Sequence, residues 1–247
     1  MMNQMQVKKI GAAVLAAVLT LSVSGCSGKT ENSVKAIQES GVFRVAIVDS
    51  GNQYTSLQDS IPVGMEPELI GTIAEALGAS VEFQVLGKEA ALEAVTAGTA
   101  DVALGCIDGA SDLIGNYLFT TPYGKGFYYV VTEKGNYAHT PGAFANTVVG
   151  LNSSLGNDIR MQLTSTEGIA INEYENPESA SADIKSGRIN AYVCNGEEAK
   201  ILLPDPELQV QNLFGVDAAE YVIIAEKTDT NLVDGMNTMI AQFLIKE

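Results

Sequence analysis

Apolar and polar positions along this chain follow two periods, and the periods alternate in a regular order. Residues 42–48 are dense in β-branched side chains and predict a strand ending at Asp49, before the polar run Ser50-Gly51-Asn52-Gln53. Between 67 and 77 the apolar residues fall at helical spacing (Leu69, Ile70, Ile73, Ala74, Leu77), and Gly78 supplies a C-cap. Residues 81–86 predict a second strand, 89–97 a short helix stopped by Gly98, and 100–104 a buried strand. Strand, helix, strand, helix, strand is the order of a parallel sheet with crossover helices. Residues 127–132 predict a further apolar strand, and 133–146 a loop carrying Gly135, Pro141 and Gly142.

The same order then repeats. Strands are predicted at 148–151, 169–174 and 189–194, with helices at 156–163 and 180–185, the second stopped by Gly187. Ala97-Gly98-Thr99-Ala100-Asp101-Val102-Ala103-Leu104-Gly105-Cys106 lies over Ser186-Gly187-Arg188-Ile189-Asn190-Ala191-Tyr192-Val193-Cys194-Asn195. Each stretch reads as helix end, glycine, tight turn and buried strand, so two similar α/β lobes are expected. A late strand at 221–225 is placed to return to the first lobe, followed by an amphipathic helix at 232–245. Two crossings, near 132–136 and 217–221, would then leave a cleft between the lobes. Ligands of open parallel sheets sit beyond the carboxyl ends of the strands, and clefts between domains are favoured sites. Those strand ends are Asp49, Gly105-Cys106-Ile107-Asp108, Asn152-Ser153-Ser154 and Cys194-Asn195.

The first residues have a different character. Lys8 and Lys9 precede an apolar run at 10–23, too short and wrongly flanked for a spanning helix, then Ser24, Gly25 and Cys26. Val23-Ser24-Gly25-Cys26 resembles the lipobox of bacterial lipoprotein signal peptides. That resemblance implies cleavage before Cys26, acylation of its thiol (chains of the palmitate type), and anchoring without spanning. An ordinary secretory leader with a cysteine near its cleavage site is the alternative. The expected organisation is a leader at 1–25, a tether at 26–34, a first lobe of 35–132 plus 221–247, and a second lobe of 136–217.

Removing the leader takes away two of the 14 basic residues and none of the 30 acidic ones, leaving a formal charge near −18. Such a charge argues against nucleic acid and anionic lipid surfaces as partners. Only Cys106 and Cys194 would remain in the mature chain, too few for a disulfide scaffold. Both sit at strand ends facing the expected cleft and read as small buried thiols. The single histidine, His139, lies in a turn, so neither a metal site nor any other cofactor is expected, and the reading is of a monomer.

Several ordered segments carry a family resemblance. Phe43-Arg44-Val45-Ala46-Ile47, Pro62-Val63-Gly64-Met65-Glu66-Pro67-Glu68-Leu69, Ala97-Gly98-Thr99-Ala100-Asp101-Val102-Ala103, Phe119-Thr120-Thr121-Pro122-Tyr123 and residues 186–193 resemble the family 3 extracellular solute-binding proteins. These are the polar amino-acid type of periplasmic binding protein. The resemblance implies a two-lobed type II fold that closes about one small-molecule ligand. It also implies delivery to the permease subunits of an ABC importer, on the extracytoplasmic face of the membrane.

The family clamps a ligand carboxylate with an arginine, and that position is Leu113 here. Its aspartate for the α-ammonium falls at Asn195, which offers no countercharge. The ligand-contact positions carried over are Asp49, Tyr54, Gly105, Asp108, Asn152, Gly156, Asn157 and Asn195. Asp49 and Asp108 suggest a cationic solute or one without a free carboxylate, although Asp108-Gly109 is equally a turn-capping pair. Tyr54 is either an aromatic wall or a cover on the cleft edge. Asn152, Gly156 and Asn157 stand where a helix N-terminus presents amides to an anionic group. Rival functions are a secreted enzyme on the same fold, resembling cyclohexadienyl dehydratases, and a ligand-sensing lipoprotein. The chain ends about a helix and a turn before the family's usual end, so either the sequence is truncated or one packing element is missing.

Overall fold

Two five-stranded sheets of the same topology organise the chain. The computed structural model describes residues 33–109 and 113–246; the leader, Cys26 and most of the expected tether lie outside the described residues. The first half runs α1 (Ser33–Ser40), β1 (Val42–Ile47), β2 (Ser56–Gln58), β3 (Ile61–Val63), α2 (Met65–Leu77), β4 (Ser80–Val85), α3 (Lys88–Ala97), β5 (Val102–Leu104), β6 (Tyr117–Phe119) and β7 (Gly124–Gly126). Next come β8 (Tyr129–Glu133), β9 (Val148–Asn152), α4 (Asn157–Thr164), β10 (Ala170–Tyr174), α5 (Pro177–Lys185), β11 (Ala191–Cys194), α6 (Gly196–Leu202) and β12 (Leu208–Asn212). The chain returns through β13 (Ala219–Tyr221), β14 (Ile224–Glu226) and α7 (Thr230–Lys246).

The first sheet has the order β4-β1-β5-β14-β6, with β1 parallel to β4 and β5 and β14 antiparallel to its neighbours. The second has the order β10-β9-β11-β8-β12, with β9 parallel to β10 and β11 and β8 antiparallel to β11 and β12. Each lobe thus makes three parallel strands from its own βαβαβ run and takes its fourth from the segment just beyond a crossing.

This corrects one expectation. The strand expected at 127–132 in the first lobe is β8, which pairs Val131 with Tyr192 and Val210 in the second sheet. The first crossing therefore lies before Tyr129 rather than at 132–136. A wholly apolar strand reports burial on both faces, not the sheet that buries it. The expected strand at 221–225 divides into β13, paired with β7 in a two-stranded ribbon, and β14 in the first sheet. Helix α1 begins within the expected tether because Ile37 is buried against the first core. Strand β12 was not expected, although Leu208-Gln209-Val210-Gln211 alternates cleanly. The β2–β3 hairpin turns through Asp59 and Ser60, both at positive φ, without the glycine that usually signals such a turn.

Side-chain alternation assigns the layers. In β1, Phe43, Val45 and Ile47 pack with Ile70, Ile73, Met236 and Ile240 from α2 and α7, while Ala46 meets Ala91 and Val95 of α3. In the second lobe Val149 and Leu151 pack on Ile159 and Leu163 of α4, and Tyr192 and Cys194 face Ile184, Ala199 and Leu202.

The internal echo has a structural counterpart. Gly98 and Gly187 both adopt left-handed φ, 71° and 72°, which a Cβ disfavours. Three residues later Asp101 N–H donates to Arg44 O at 2.8 Å, and Asn190 N–H donates to Val148 O at 2.8 Å. The side chains reciprocate: Asp101 Oδ2 accepts from Arg44 N–H at 2.9 Å, and Asn190 Oδ1 from Val148 N–H at 3.3 Å. Asp101 is also ion-paired with the Arg44 guanidinium, which donates to Gly98 O as well. A charge suits the first turn because a cation faces it. An exposed amide suffices at the second.

The two turns should therefore differ in energy. Asp101→Ala leaves a half-buried guanidinium and a strand amide without their acceptor and should cost about 2–4 kcal/mol. Asn190→Ala should cost about 1 kcal/mol or less. Urea denaturation of both variants checks this, and equal losses would rule out the ion pair as the source of the difference.

Candidate functional site

The carboxyl ends of the parallel strands of both sheets open onto one cleft of about 1010 Å³. From the first lobe its wall is Val48 and Ser50 beyond β1, Tyr54, Lys88 at the start of α3, and Gly105 to Asp108 beyond β5. The second lobe contributes Ser154 to Gly156 before α4, Asn195 to Glu197 at the start of α6, and Val210 to Asn212 of β12. The crossings close the back with Lys125 to Tyr129, Ala219 and Tyr221.

A buried carboxylate shapes the first-lobe floor. Glu66, in the first turn of α2, has no solvent exposure and accepts hydrogen bonds from Thr55 Oγ1, from Tyr123 Oη and from Cys106 N–H at 2.7 Å. The loop after β1, the exit of β5 and the segment before β7 are thereby tied to one helix. Burial pushes the Glu66 carboxyl above its ordinary value, and the three donors pull it partly back.

The exit of β5 needs unusual backbone. Gly105 has φ 128°, and a Cβ there would lie 2.4 Å from Val48 O, so only glycine lets this turn pass so close to β1. Cys106 follows at φ 52°, which aims its N–H at Glu66. Its thiol lines the cleft, and burial, with the Glu66 charge adding, pushes it up to about 12. Cys106 is thus a neutral thiol and a poor nucleophile at ordinary pH. Cys194, expected to face the cleft, is fully buried within the second-lobe core and is absent from the cleft wall.

The structure separates the expected contact residues into two sets. Tyr54, Gly105, Asp108, Gly156 and Asn195 line the cleft; Asp49, Asn152 and Asn157 do not. Asp49 is exposed and accepts from Gly51 N–H at 3.0 Å, closing a local Asx-turn. Asn152 is buried, and its Oδ1 accepts from Ser154 N–H and Ser154 Oγ at 2.7 and 2.6 Å, shaping the loop before α4. Asn157, the first residue of α4, is exposed and is not part of the cleft wall.

Two of the lining residues are already engaged. Asn195 caps α6, its Oδ1 accepting from Glu198 N–H at 3.0 Å. Asp108 accepts from Tyr128 Oη and from Glu220 N–H, each at 3.1 Å, and burial pushes its carboxyl up. Tyr54 stands edge-on to Tyr221 at 5.1 Å and to Tyr123 at 6.4 Å, and its hydroxyl donates to Lys125 O at 3.3 Å. Leu113, expected at the family's arginine position, packs in the apolar cluster beside Leu92 and Ile107 and is absent from the cleft wall.

Apart from Asp108, sequence reasoning missed the charges that line the cleft. Lys88, Lys125 and Lys200 face it together with Glu89, Asp108 and Glu197. Lys125 pairs with Glu220 at 3.5 Å on exposed side chains, and Lys200 with the half-buried Glu197 at 3.2 Å. Lys88 reaches from the first lobe to Ser154 O of the second at 3.2 Å. Its signal was available: it follows β4 at the carboxyl end of a parallel strand, like the positions that were chosen. Among the described residues no group of three or more His, Cys, Asp or Glu side chains could hold a metal ion. No helix among them is long and apolar enough to cross a membrane.

Comparison with known proteins adds three findings. The family model of the bacterial extracellular solute-binding proteins, family 3, matches residues 43–245. No match was found among curated proteins. Solved structures that resemble the chain include holo ArgBP from T. maritima, at 19% identity and TM-score 0.64, covering 85% of this chain and 93% of that one. The amino acid ABC transporter substrate-binding protein AbpA from Streptococcus pneumoniae, bound to L-arginine, has 22% identity and TM-score 0.63, covering 86% and 92%. An ancestral arginine-binding protein bound to glutamine has 19% identity and TM-score 0.62, covering 83% and 92%. At these identities the likeness concerns the fold.

Glu66 gives a pH-dependent expectation. Its folded value lies above its unfolded one, so the folded chain binds that proton more tightly, and the stability this lends is lost as pH rises between the two values. Glu66→Gln does not titrate. The stability of wild type relative to Glu66→Gln should therefore fall as pH rises from about 4.3, the unfolded glutamate value, and then level off. Urea midpoints across pH 4–8 measure it; a rising difference would mean that the three hydrogen bonds outweigh burial.

Proposed function

We propose a function from one premise: the chain belongs to the bacterial extracellular solute-binding proteins, family 3. On that premise it is the extracytoplasmic ligand-capturing component of an ABC importer, and a binder rather than an enzyme. The observation that carries the reading is the placement of the cleft. The carboxyl ends of two similar parallel sheets face each other across it, and two chain crossings join them at its back. A ligand held there touches both lobes, so its binding energy is coupled to their closure.

The ligand we propose is an amino acid or a related small polar solute. Tyr54 and Tyr221 serve as aromatic walls, and the backbone at Gly105 and Gly156 approaches the ligand most closely. Of the two acids that suggest a cation, Asp49 stands off the cleft, and Asp108 lines it while accepting two hydrogen bonds. Three lysines and three acids line the wall, so a zwitterion or a neutral polar solute suits it better than a net cation. The domain limits follow the sheets: a first lobe through β7 that resumes near β13, and a second lobe between them. The protein acts as a lipid-anchored monomer attached through Cys26, and it hands its solute to permease subunits.

Three measurements test this reading. A thermal-shift screen of amino acids, amines and small peptides should give at least one ligand that raises the melting temperature, since it binds the folded state alone. With that ligand the radius of gyration from small-angle scattering should fall; an unchanged profile at saturation would exclude lobe closure. Cys26→Ala should move the protein from the detergent phase to the aqueous phase in phase partitioning without changing its melting temperature. Equal partitioning of wild type and variant would remove the lipid anchor from the proposal.

A further inference from the structure

Both crossings between the lobes converge on one side chain. Residues 107–109 leave β5 and run antiparallel to 220–222, with Val222 N–H donating to Ile107 O and Gly109 N–H to Glu220 O, both at 3.0 Å. Asp108 lies opposite Tyr221 in this pairing, and its Oδ1 takes the Glu220 N–H at 3.1 Å. Its Oδ2 takes Tyr128 Oη, also at 3.1 Å. Tyr128 belongs to the first crossing, between β7 and β8, and only 5% of it is exposed. It packs in the second-lobe core with Val130, Leu151 and Ala219, and its carbonyl accepts from Leu213 N–H at 2.9 Å. A first-lobe carboxylate is thus bonded to the second crossing through a backbone amide and to the second-lobe core through a phenol.

We infer that Asp108 is a positioning residue, the clasp of the hinge, whose hydrogen bond to Tyr128 limits how far the lobes open. Tyr128 is fixed in the second-lobe core, so its hydroxyl moves with that lobe when the crossings flex. A hydrogen bond at 3.1 Å is lost once the atoms separate by a few tenths of an ångström, so opening must break this bond early. Tyr221 reports the same junction, since it packs partly against the first core and partly against the second. The role differs from that of a ligand countercharge. A countercharge requires the negative charge of Asp108, whereas the clasp requires only partners for Tyr128 Oη and Glu220 N–H.

Hydrogen exchange and small-angle scattering on the ligand-free full chain test the inference without reference to any solute. Asp108→Ala should speed exchange at the Glu220 amide by about tenfold, the loss of one net hydrogen bond, and enlarge the radius of gyration. Exchange at the central sheet amides of Val102 and Val193 should stay unchanged. Asp108→Asn keeps an oxygen for Glu220 and an amide that donates to the tyrosine oxygen, so it should stay close to wild type. Tyr128→Phe, which removes one hydroxyl from an intact core, should enlarge the radius of gyration as Asp108→Ala does, and it carries the test should the alanine variant fail to fold. Tyr128→Phe with a wild-type radius of gyration would overturn the clasp, as would equal acceleration of exchange throughout both sheets in Asp108→Ala. Because no ligand is involved, these results stand apart from whether the screen finds one.

Discussion

The floor of the cleft depends on the burial of one carboxylate. Glu66 sits at the start of α2 with no solvent contact, where an ionised group with no partners would be prohibitively costly. Three donors from three different segments converge on it, and each is held in place by making that bond. The left-handed backbone at Cys106 goes with the same carboxylate, because in that conformation its amide donates inward to Glu66. Much of the first-lobe site is thus organised from beneath, by a residue that lines no part of the cleft.

The two lobes need not be rigid relative to each other, because their cores are separate. Each sheet is covered on both faces by its own helices, and the side chains shared between cores are few, Tyr221 among them. The chain joins the two lobes at the β7–β13 ribbon and the paired strands around Asp108, so the proposed closure would be concentrated there. Contacts that span the front of the cleft are sparse and polar, such as Lys88 to Ser154 O. A bound solute can replace contacts of that kind at little cost.

The overall acidity of the chain does not carry into the cleft. Its excess of acids lies elsewhere, while the cleft wall presents lysines and acids in equal number, with Lys200 paired to Glu197 within the wall and Lys125 paired to Glu220 beside it. Net charge serves solubility, and local pairing decides what the site can hold. Asp49 closes a turn and lies off the cleft wall, whereas Asp108 lines the wall while bonded to both crossings.

Periodicity and glycine placement alone determined the two α/β lobes, the parallel order of their central strands and the strand ends that meet at the cleft. These features are local, since a buried strand, an amphipathic helix and a glycine stop each declare themselves within a dozen residues. The echo between Asp101 and Asn190 was legible for the same reason, because both complete the same turn. Only the tertiary structure decided which sheet receives β8, since an apolar strand is equally at home in either core. It alone decided which strand-end polar residues stay free, for Asn152, Asn195 and Asp108 look alike in sequence until their hydrogen-bond partners are in place. Glu66 was visible only as one letter of a motif. Its role depends on Thr55, Cys106 and Tyr123, which come together through folding.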